Sequence, residues 1–228
     1  MIPRAVLFDL DGTLIDSVPL IVASMKHAFA GRQRAPSVKE WVALIGTPLE
    51  AMIRRWGGDE ADVTLLRERY KEHQWANHDA MVKAFPGVPD LLEALTARGV
   101  RMAVVTSKLE RSARRSLEFL GLSRHFAAVV GLESTVRHKP DPEPVRFALA
   151  RLDAVAEGAA FIGDSPHDVV AGNAAGVATV AALWGPFTRD ELAVAHPRAW
   201  AAKASDLLSV LEAIWTAPLG AGIPPGDG

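Results

Sequence analysis

Short, uninterrupted apolar runs recur along the chain and alternate with segments whose apolar residues have helical spacing. Apolar runs that do not alternate with polar residues are typical of strands buried on both faces of a sheet. The predicted strands are residues 5–8, 100–105, 127–130, 159–162 and 177–181. Because strands and helices alternate, the pattern predicts an α/β fold with a doubly wound parallel sheet.

The segment from about residue 17 to residue 83 departs from this alternation, because it holds several helical patterns in succession and no convincing strand. Glycine-containing breaks at 31–37 and 57–58 divide it into separate helices. We therefore predict an all-helical cap domain at 17–83, inserted into an α/β catalytic core formed by residues 1–16 and 84–216.

The composition is that of a globular protein, with 49% hydrophobic and 23% charged residues. A formal net charge of -2 provides no basic surface for nucleic acid or for an anionic membrane, so neither is an expected partner. The absence of cysteine excludes disulfides and thiolate metal sites, and no signal peptide or spanning segment is recognisable, so we expect a cytoplasmic protein. Residues 217–228 hold four Gly and three Pro and are predicted to be a disordered tail.

Two carboxylates follow the first predicted strand, in the sequence Asp9-Leu10-Asp11-Gly12-Thr13. Residues two apart in an extended strand point to the same side, so these carboxylates should converge beyond the end of the strand. Ligands of open α/β sheets bind at this carboxyl edge. The alternative is an ordinary Asp-Gly turn with a capping threonine.

A third carboxylate, Asp164, follows the predicted strand 159–162. The next residues form a helix start, with Ser165 as N-cap, Pro166 at the first position and Asp168 at the third. Asp168 therefore has a structural role available, whereas Asp164 has none. Acidic side chains that meet at strand ends repel one another unless a cation binds, and oxygen ligands without Cys or paired His indicate Mg²⁺.

Two further candidates lie between these acidic segments. Strand 100–105 is followed by Thr106 and Ser107, whose hydroxyls and the next helix N-terminus predict a phosphate site; a helix cap is the alternative for Ser107. Lys139 lies in a proline-braced loop beside His138. The pattern assigns no role to His138 or to His167.

These four segments, in this order, resemble the motifs of the haloacid dehalogenase superfamily. They are D-L-D-G-T at 9–13, V-V-T-S-K at 104–108, K-P-D-P at 139–142 and G-D-S-P-H-D at 163–168. The helical insert and the form of the last motif are similar to the phosphoglycolate phosphatase and pyrophosphatase-like branch. The resemblance covers about residues 1–216 and implies a Rossmann-like core, a helical cap and Mg²⁺ as cofactor.

The implied activity is hydrolysis of a small phosphomonoester, or of pyrophosphate, through an aspartyl-phosphate. The resemblance makes Asp9 the nucleophile and Asp11 the acid and base that serves the leaving group and the hydrolytic water. Asp9, the backbone carbonyl of Asp11 and Asp164 would bind Mg²⁺. An acid at position 11 also separates the chain from the dehalogenases, which lack one there.

Thr106 and Ser107, with Lys139, would bind the phosphoryl oxygens, and Asp168 would orient Lys139 or a metal-bound water. The expected partner is a small phosphorylated metabolite, and the chain would act as a monomer or a homodimer. Two alternatives remain at this stage. One is a phosphosugar mutase of the same superfamily, and the other is a non-catalytic sensor of a phosphorylated ligand.

The loop at Ile45, Gly46 and Thr47 is predicted to close over the site and contact the leaving group. The alternative is a capping box, in which Thr47 is the N-cap and Glu50 the third helical residue. Residues 20–57 carry six basic and two acidic side chains, which fits a lid for an anion but also an ordinary solvated surface. The tryptophans of the insert are predicted to form its core: Trp41, Trp56 and Trp75.

Overall fold

The computed structural model describes residues 4–216, so the predicted tail at 217–228 lies outside the described residues. In chain order the strands are β1 (Ala5–Phe8), β2 (Ile15–Asp16), β3 (Lys83–Ala84), β4 (Arg101–Val105), β5 (Ala128–Val130), β6 (Ala159–Gly163), β7 (Ala178–Ala182) and β8 (Ala199–Ala201). Six of them form one parallel sheet in the order β5-β4-β1-β6-β7-β8. The predicted α/β fold is confirmed.

The helices are α1 (Val18–Ala28), α2 (Val38–Val42), α3 (Leu49–Arg54), α4 (Glu60–Met81), α5 (Val88–Ala97), α6 (Glu110–Phe119), α7 (Glu143–Arg151), α8 (Pro166–Ala175), α9 (Arg189–Ala193) and α10 (Leu207–Thr216). Helix α8 has the start signal read from the sequence, with Pro166 in its first turn, and α5 likewise has a proline in its first turn. Ser165 and Asp168 form the predicted capping box of α8.

The central strand β1 explains the unbroken apolar pattern. Its four residues are 0% exposed, because neighbouring strands cover both edges and two separate hydrophobic clusters cover the faces. Val6 and Phe8 belong to one cluster, whereas Ala5 and Leu7 belong to the other. Alternate side chains thus enter two different cores, which is why polar residues do not alternate with apolar ones.

The sequence pattern missed three short strands. β8 is a three-residue edge strand beside β7, and its sequence Ala-Trp-Ala is too short to stand out. β2 and β3 hold two residues each and pair antiparallel, with Ile15 opposite Ala84 and Asp16 opposite Lys83. Residue 83, assigned to the helical insert from the sequence, therefore lies in this ladder.

Helices α1 to α4 occupy the segment between β2 and β3, and they share a hydrophobic cluster that also includes Ala181, Phe187 and Leu192 of the core. Trp41 is its largest fully buried side chain and packs near Phe29, Trp56 and Tyr70, with ring centroids about 6 Å apart. The prediction for Trp75 was wrong, because its side chain is 57% exposed on α4. The antiparallel pairing of β2 and β3 returns the chain close to where it left the sheet.

None of the helices within residues 4–216 combines the length and the apolar character needed to cross a membrane.

Candidate active site

Polar residues follow three adjacent strands of the sheet at one edge. Asp9 comes directly after β1, Thr106 after β4 and Asp164 after β6. The backbone N–H groups of Asp9 and Thr106 continue the ladders, donating to Ile162 and Val130 at 2.9 Å. Because the strands are parallel and adjacent, residues far apart in the chain meet at this carboxyl edge.

Asp9, Asp164 and Asp168 form a buried acidic cluster. Each offers a carboxylate oxygen, and these oxygens lie within 4.8 Å of one another. Lys139 Nζ donates to Asp9 Oδ1 at 2.7 Å, to Asp168 Oδ1 at 2.6 Å and to the carbonyl of Val105 at 3.1 Å. One buried cation thus compensates part of the charge of three buried carboxylates, and the Lys139–Asp168 contact predicted from the resemblance is present.

The pKa values of the cluster reflect this excess of negative charge. Burial raises the pKa of Asp9 to about 7, against the opposing effect of Lys139 and with a further increase from Asp168. Burial, reinforced by Asp9 and Asp168, raises the pKa of Asp164 well above its usual range. Burial alone would lower the pKa of Lys139, but the carboxylates of Asp168 and Asp9 outweigh burial and raise it. A cation bound among these carboxylates would compensate the excess negative charge that raises the pKa values of Asp9 and Asp164.

Asp164 has one oxygen without a partner. Its Oδ1 accepts a hydrogen bond from the hydroxyl of Thr13 at 2.6 Å, whereas its buried Oδ2 has none within residues 4–216. Gly12 and Gly185 lie so close that a side chain at either position would collide with the carboxylate. An orphaned carboxylate oxygen, packed on both sides and facing other carboxylates, fits a hard divalent cation such as Mg²⁺.

Asp11 lines the same cavity as Asp9 but takes part in a different set of contacts. Lys108 Nζ lies 2.6 Å from Asp11 Oδ1, and the hydroxyl of Ser17 donates to the same oxygen at 2.5 Å. Both side chains of the ion pair are largely buried. The sequence pattern does not identify Lys108, although this is the last residue of the V-V-T-S-K segment. Nothing local shows that its side chain reaches a residue 97 positions away.

The two hydroxyl residues after β4 have different surroundings. Both line the cavity, but Thr106 Oγ1 accepts a hydrogen bond from the backbone N–H of Lys108 at 3.2 Å. Ser107 Oγ donates to the carbonyl of Gly46 at 2.6 Å and so links the core to the helical insert. The helix-cap alternative for Ser107 is wrong, because α6 begins at Glu110 with Leu109 at its N-cap.

The loop between α2 and α3 forms one wall of the cavity. Ile45, Gly46 and Thr47 all line it, together with Asp9 and Asp11. Gly46 has a φ of +98°, and a Cβ there would lie 2.9 Å from Ser165 Oγ. This position requires glycine for its backbone conformation and for the close approach to the core.

The capping box predicted at residues 47–50 does not form. Pro48 occupies the N-cap position of α3, which begins at Leu49. The hydroxyl of Thr47 instead donates to the carbonyl of Leu44 at 2.7 Å, and Glu50 binds Arg54 and Arg67. Thr47 thus bonds within the turn, and Glu50 bonds to arginines on α3 and α4. These contacts compete with the local cap.

The basic residues of the first half of the insert do not face the cavity. Arg32 pairs with Asp62, and Arg54 pairs with Glu50 and Glu60. None of the six lies among the described lining residues, and the six are Lys26, Arg32, Arg34, Lys39, Arg54 and Arg55. The surface alternative is therefore the one observed, and the cations of the cavity wall come from elsewhere.

The two histidines without an assigned role differ in position. His167 lies in the first turn of α8 beside Gly46, and burial lowers its pKa. His138 is half-buried next to Lys139 and makes no side-chain hydrogen bond within the described part of the chain. Neither observation identifies a chemical role.

Sequence and structure comparisons place this site in a known family. Residues 6–182 match the model of the haloacid dehalogenase-like hydrolases. The chain is 36% identical over 194 residues to pyrophosphatase PpaX of Oceanobacillus iheyensis, covering 85% of this chain and 90% of that protein. It is 35% identical over 193 residues to phosphoglycolate phosphatase 1 of Pseudomonas aeruginosa, covering 81% and 71%.

The fold agrees with these relatives. A crystal structure of a predicted phosphoglycolate phosphatase from Haemophilus somnus superposes with a TM-score of 0.84 at 25% identity, covering 91% of this chain and 97% of that one. The family match extends over most of the described sheet, including all four segments quoted above. The chain belongs to the haloacid dehalogenase-like hydrolases.

Proposed function

We propose that the protein is a Mg²⁺-dependent phosphatase that hydrolyses a small phosphomonoester through an aspartyl-phosphate on Asp9. The observation that carries the proposal is the cluster at the strand ends, where buried Asp9 contacts Lys139 and faces the unpartnered oxygen of Asp164. The phosphatases and pyrophosphatases among the relatives support the same class of reaction.

Asp9, the backbone carbonyl of Asp11 and Asp164 would hold Mg²⁺, which would neutralise charge on the phosphoryl group when bound. The Asp9 carboxylate attacks phosphorus, so that an oxygen–phosphorus bond forms while the bond to the leaving oxygen breaks. Asp11 gives its proton to that leaving oxygen. A water then attacks the aspartyl-phosphate, Asp11 takes the proton of this water, and Asp9 is released with inorganic phosphate.

Other residues position the reacting groups. Lys139 and Thr106 bind the phosphoryl oxygens, and most of the rate enhancement in phosphoryl transfer comes from such positioning and charge neutralisation. Asp168 holds the ammonium of Lys139 in place at 2.6 Å. Ser107, assigned to phosphate from its sequence position, lines the cavity beside Thr106, and its hydroxyl also donates to the carbonyl of Gly46.

The helical insert acts as the cover of the site. Its loop at residues 45–47 lies over the strand ends and closes one side of the cavity. A covered site keeps bulk water from the aspartyl-phosphate and lets the loop contact the leaving group.

The test is phosphate release from a panel of small phosphate esters and pyrophosphate, with Mg²⁺ or with EDTA. Wild type and Asp9→Asn are compared, and Asp16→Asn serves as a control because Asp16 lies in β2 outside the cavity. Metal-dependent release that Asp9→Asn abolishes and Asp16→Asn retains supports the proposal. Release that Asp9→Asn retains contradicts it.

The same panel separates the alternatives. Little phosphate release, but interconversion of sugar monophosphates with a bisphosphate activator, would indicate the mutase. Binding of a phosphate ester without turnover of any kind would indicate the sensor.

A further inference from the structure

The cavity of the candidate active site extends beyond the residues that the proposed chemistry uses, and we call this further part of the same cavity the second chamber. The whole cavity has a volume of about 270 Å³. Asp9, Asp11, Thr106 and Lys108 lie at its phosphoryl end, and the rest extends between helices α3 and α4 of the insert and helix α6 of the core. The leaving group of any substrate held at Asp9 would occupy this second chamber.

The wall of the second chamber is largely apolar. Side chains from both domains contribute to it: Ile21, Ile45, Leu49, Met52, Tyr70 and Leu109. Burying apolar surface stabilises a complex only if the ligand brings apolar surface of its own. Pyrophosphate exposes only oxygen atoms and would leave this wall without a partner.

Trp75 adds an aromatic surface at the same chamber. Its indole is 57% exposed, which is unusual for a side chain of this size. The guanidinium of Arg115 lies 4.1 Å from the centroid of the ring and also donates to the backbone carbonyl of Trp75 and to Asp79, each at 3.0 Å. Arg115 thus covers one face of a fixed ring, so that a ligand in the chamber can stack on the remaining surface.

The chamber also carries excess positive charge. Apart from the phosphoryl end, its charged lining residues are one carboxylate, Glu50, and four cations: Arg67, Lys71, Arg111 and Arg115. Acidic partners engage three of these cations, since Arg67 binds Glu50, Lys71 binds Glu68 and Arg115 binds Asp79.

Arg111 differs from these three paired cations. It is exposed to solvent in the first turn of α6, at the rim of the cavity that it lines, and its guanidinium has no carboxylate or hydrogen-bond partner within residues 4–216. A guanidinium is suited to binding carboxylate or phosphate with two parallel hydrogen bonds. An unpaired guanidinium beside an apolar wall is complementary to a ligand with an apolar body and a terminal anion.

We propose, on the basis of the function proposed above, that the preferred substrate is a phosphomonoester whose leaving group combines an apolar ring with a second anionic group. The ring packs between the apolar wall and Trp75, and the guanidinium of Arg111 binds the anion. Pyrophosphate, which lacks the ring, is then a poor substrate.

The test uses three esters that differ only at the distal end. The uncharged member is 4-ethylphenyl phosphate, and the anionic members are 4-(carboxymethyl)phenyl phosphate and 4-(phosphonomethyl)phenyl phosphate. A methylene group insulates the ring from the charge, so the leaving oxygens have similar reactivity. We expect wild type to show a kcat/KM for at least one anionic ester about tenfold above that for the uncharged ester, and the better of the two tells whether a carboxylate or a phosphate-like group is preferred.

Arg111→Gln should remove this preference, mainly through a higher KM for the anionic esters. The matched control is Arg114→Gln, on the same helix, because Arg114 pairs with Glu110 outside the cavity. Trp75→Leu should lower kcat/KM for all three aryl esters relative to pyrophosphate, because it removes the stacking surface.

The possible results of these assays distinguish failure of the proposed substrate class from failure of the proposed phosphatase function. Esters that are hydrolysed with no preference for the anionic members, or a preference that Arg111→Gln retains, overturn the substrate class and leave the phosphatase intact. A higher kcat/KM for pyrophosphate than for every aryl ester also overturns the substrate class. No phosphate release from any compound with Mg²⁺ overturns the proposed function and this inference together.

Discussion

The ammonium nitrogen of Lys139 lies 2.7 Å from the carboxylate of Asp9 and 2.6 Å from that of Asp168, and all three side chains are buried. Lys139→Met would leave two buried carboxylates without their cation. Removing one partner of a buried ion pair costs about 3–5 kcal/mol, because the remaining charge is uncompensated. We therefore expect a loss of that size in the free energy of unfolding, together with loss of phosphatase activity.

Urea unfolding at neutral pH measures this loss. Lys26→Met is the control, since Lys26 is exposed on α1 and forms no ion pair within the described residues. If both variants unfold at the same urea concentration, Lys139 does not compensate the buried carboxylates.

Asp164 should link the protein's thermal stability to Mg²⁺. Its carboxylate is buried, and one of its oxygens is unpartnered. Burial raises its pKa, and the neighbouring carboxylates of Asp9 and Asp168 raise it further. Asp164→Asn removes an unfavourable charge, so in EDTA we expect the variant to be at least as stable as wild type. With millimolar Mg²⁺ the Tm of wild type should rise, because a ligand of the folded state stabilises it, and the Tm of the variant should rise much less.

Differential scanning calorimetry in EDTA and in Mg²⁺ provides the four values needed. An equal rise of Tm in both proteins would show that Asp164 is not a ligand of the metal.

Gly46 is expected to control the relative rates with different leaving groups. A side chain at this position would approach Ser165 and would strain a backbone with φ of +98°. Gly46→Ala should displace the loop and change the ratio of kcat/KM values across an ester panel. Gly31→Ala is the matched control, because Gly31 also has a positive φ, +80°, but has open space around it.

Both variants should lose a similar amount of stability from backbone strain, about 1 kcal/mol. Only Gly46→Ala should alter selectivity. Unchanged relative rates in that variant would mean that residues 45–47 do not contact the leaving group.

Ser107→Ala should loosen the loop that its hydroxyl holds. Ser107 Oγ donates to the carbonyl of Gly46 at 2.6 Å, a contact between core and insert. Losing one hydrogen bond costs about 1 kcal/mol, so exchange of the amide hydrogens of Ile45 and Thr47 should become several-fold faster. Mass spectrometry or NMR measures that exchange. The control is Ser209→Ala, which removes an exposed bond from Ser209 of α10 to the carbonyl of Asp206, just before that helix.

Unaltered exchange at residues 45–47 in Ser107→Ala would show that packing, and not this hydroxyl, holds the loop.

His78 should make the protein less stable in mild acid. It is buried between α4 and α6, its Nε2 lies 2.7 Å from Ser116 Oγ, and burial lowers its pKa below the ordinary value near 6.5. The folded state therefore binds fewer protons than the unfolded state as pH falls below that value, so stability declines with falling pH. The stability that a neutral His78 allows is fully retained above pH 7.

The free energy of unfolding at pH 7.5 and pH 5.5 is compared for wild type and His78→Gln. The variant should lose less stability over this interval, because its side chain does not titrate. Other histidines titrate equally in both proteins, so identical losses would contradict a neutral, buried His78.

Much of the fold follows from local pattern. The run at residues 5–8 predicted a strand buried on both faces, and both faces of β1 lie in hydrophobic clusters. The start of α8 was also predicted from the sequence, because its two capping side chains, those of Ser165 and Asp168, are only three positions apart. The acids at the ends of β1 and β6 were visible for the same reason, as polar residues that directly follow buried strands.

The contacts that define the site's surroundings could not be read in this way. Lys108 reaches Asp11 over 97 positions, and Ser107 reaches Gly46 over 61. The sequence permits Thr47 as a helix cap, but its hydroxyl donates to the carbonyl of Leu44 and the helix begins at Leu49 with Pro48 at its N-cap. The cations of the second chamber lie on α4 and α6. The basic residues counted in the sequence at 20–57 do not line it.

The sequence by itself determined which segments are strands and helices and which residues could carry chemistry, because burial period, caps and strand ends depend on neighbours a few positions apart. Only the tertiary structure decided which side chains meet. The strand order β5-β4-β1-β6-β7-β8 brings residues 9, 106 and 164 to one edge, and the packing of the insert selects the residues that face them. Those choices depend on contacts between residues 61 to 151 positions apart, which no local pattern encodes.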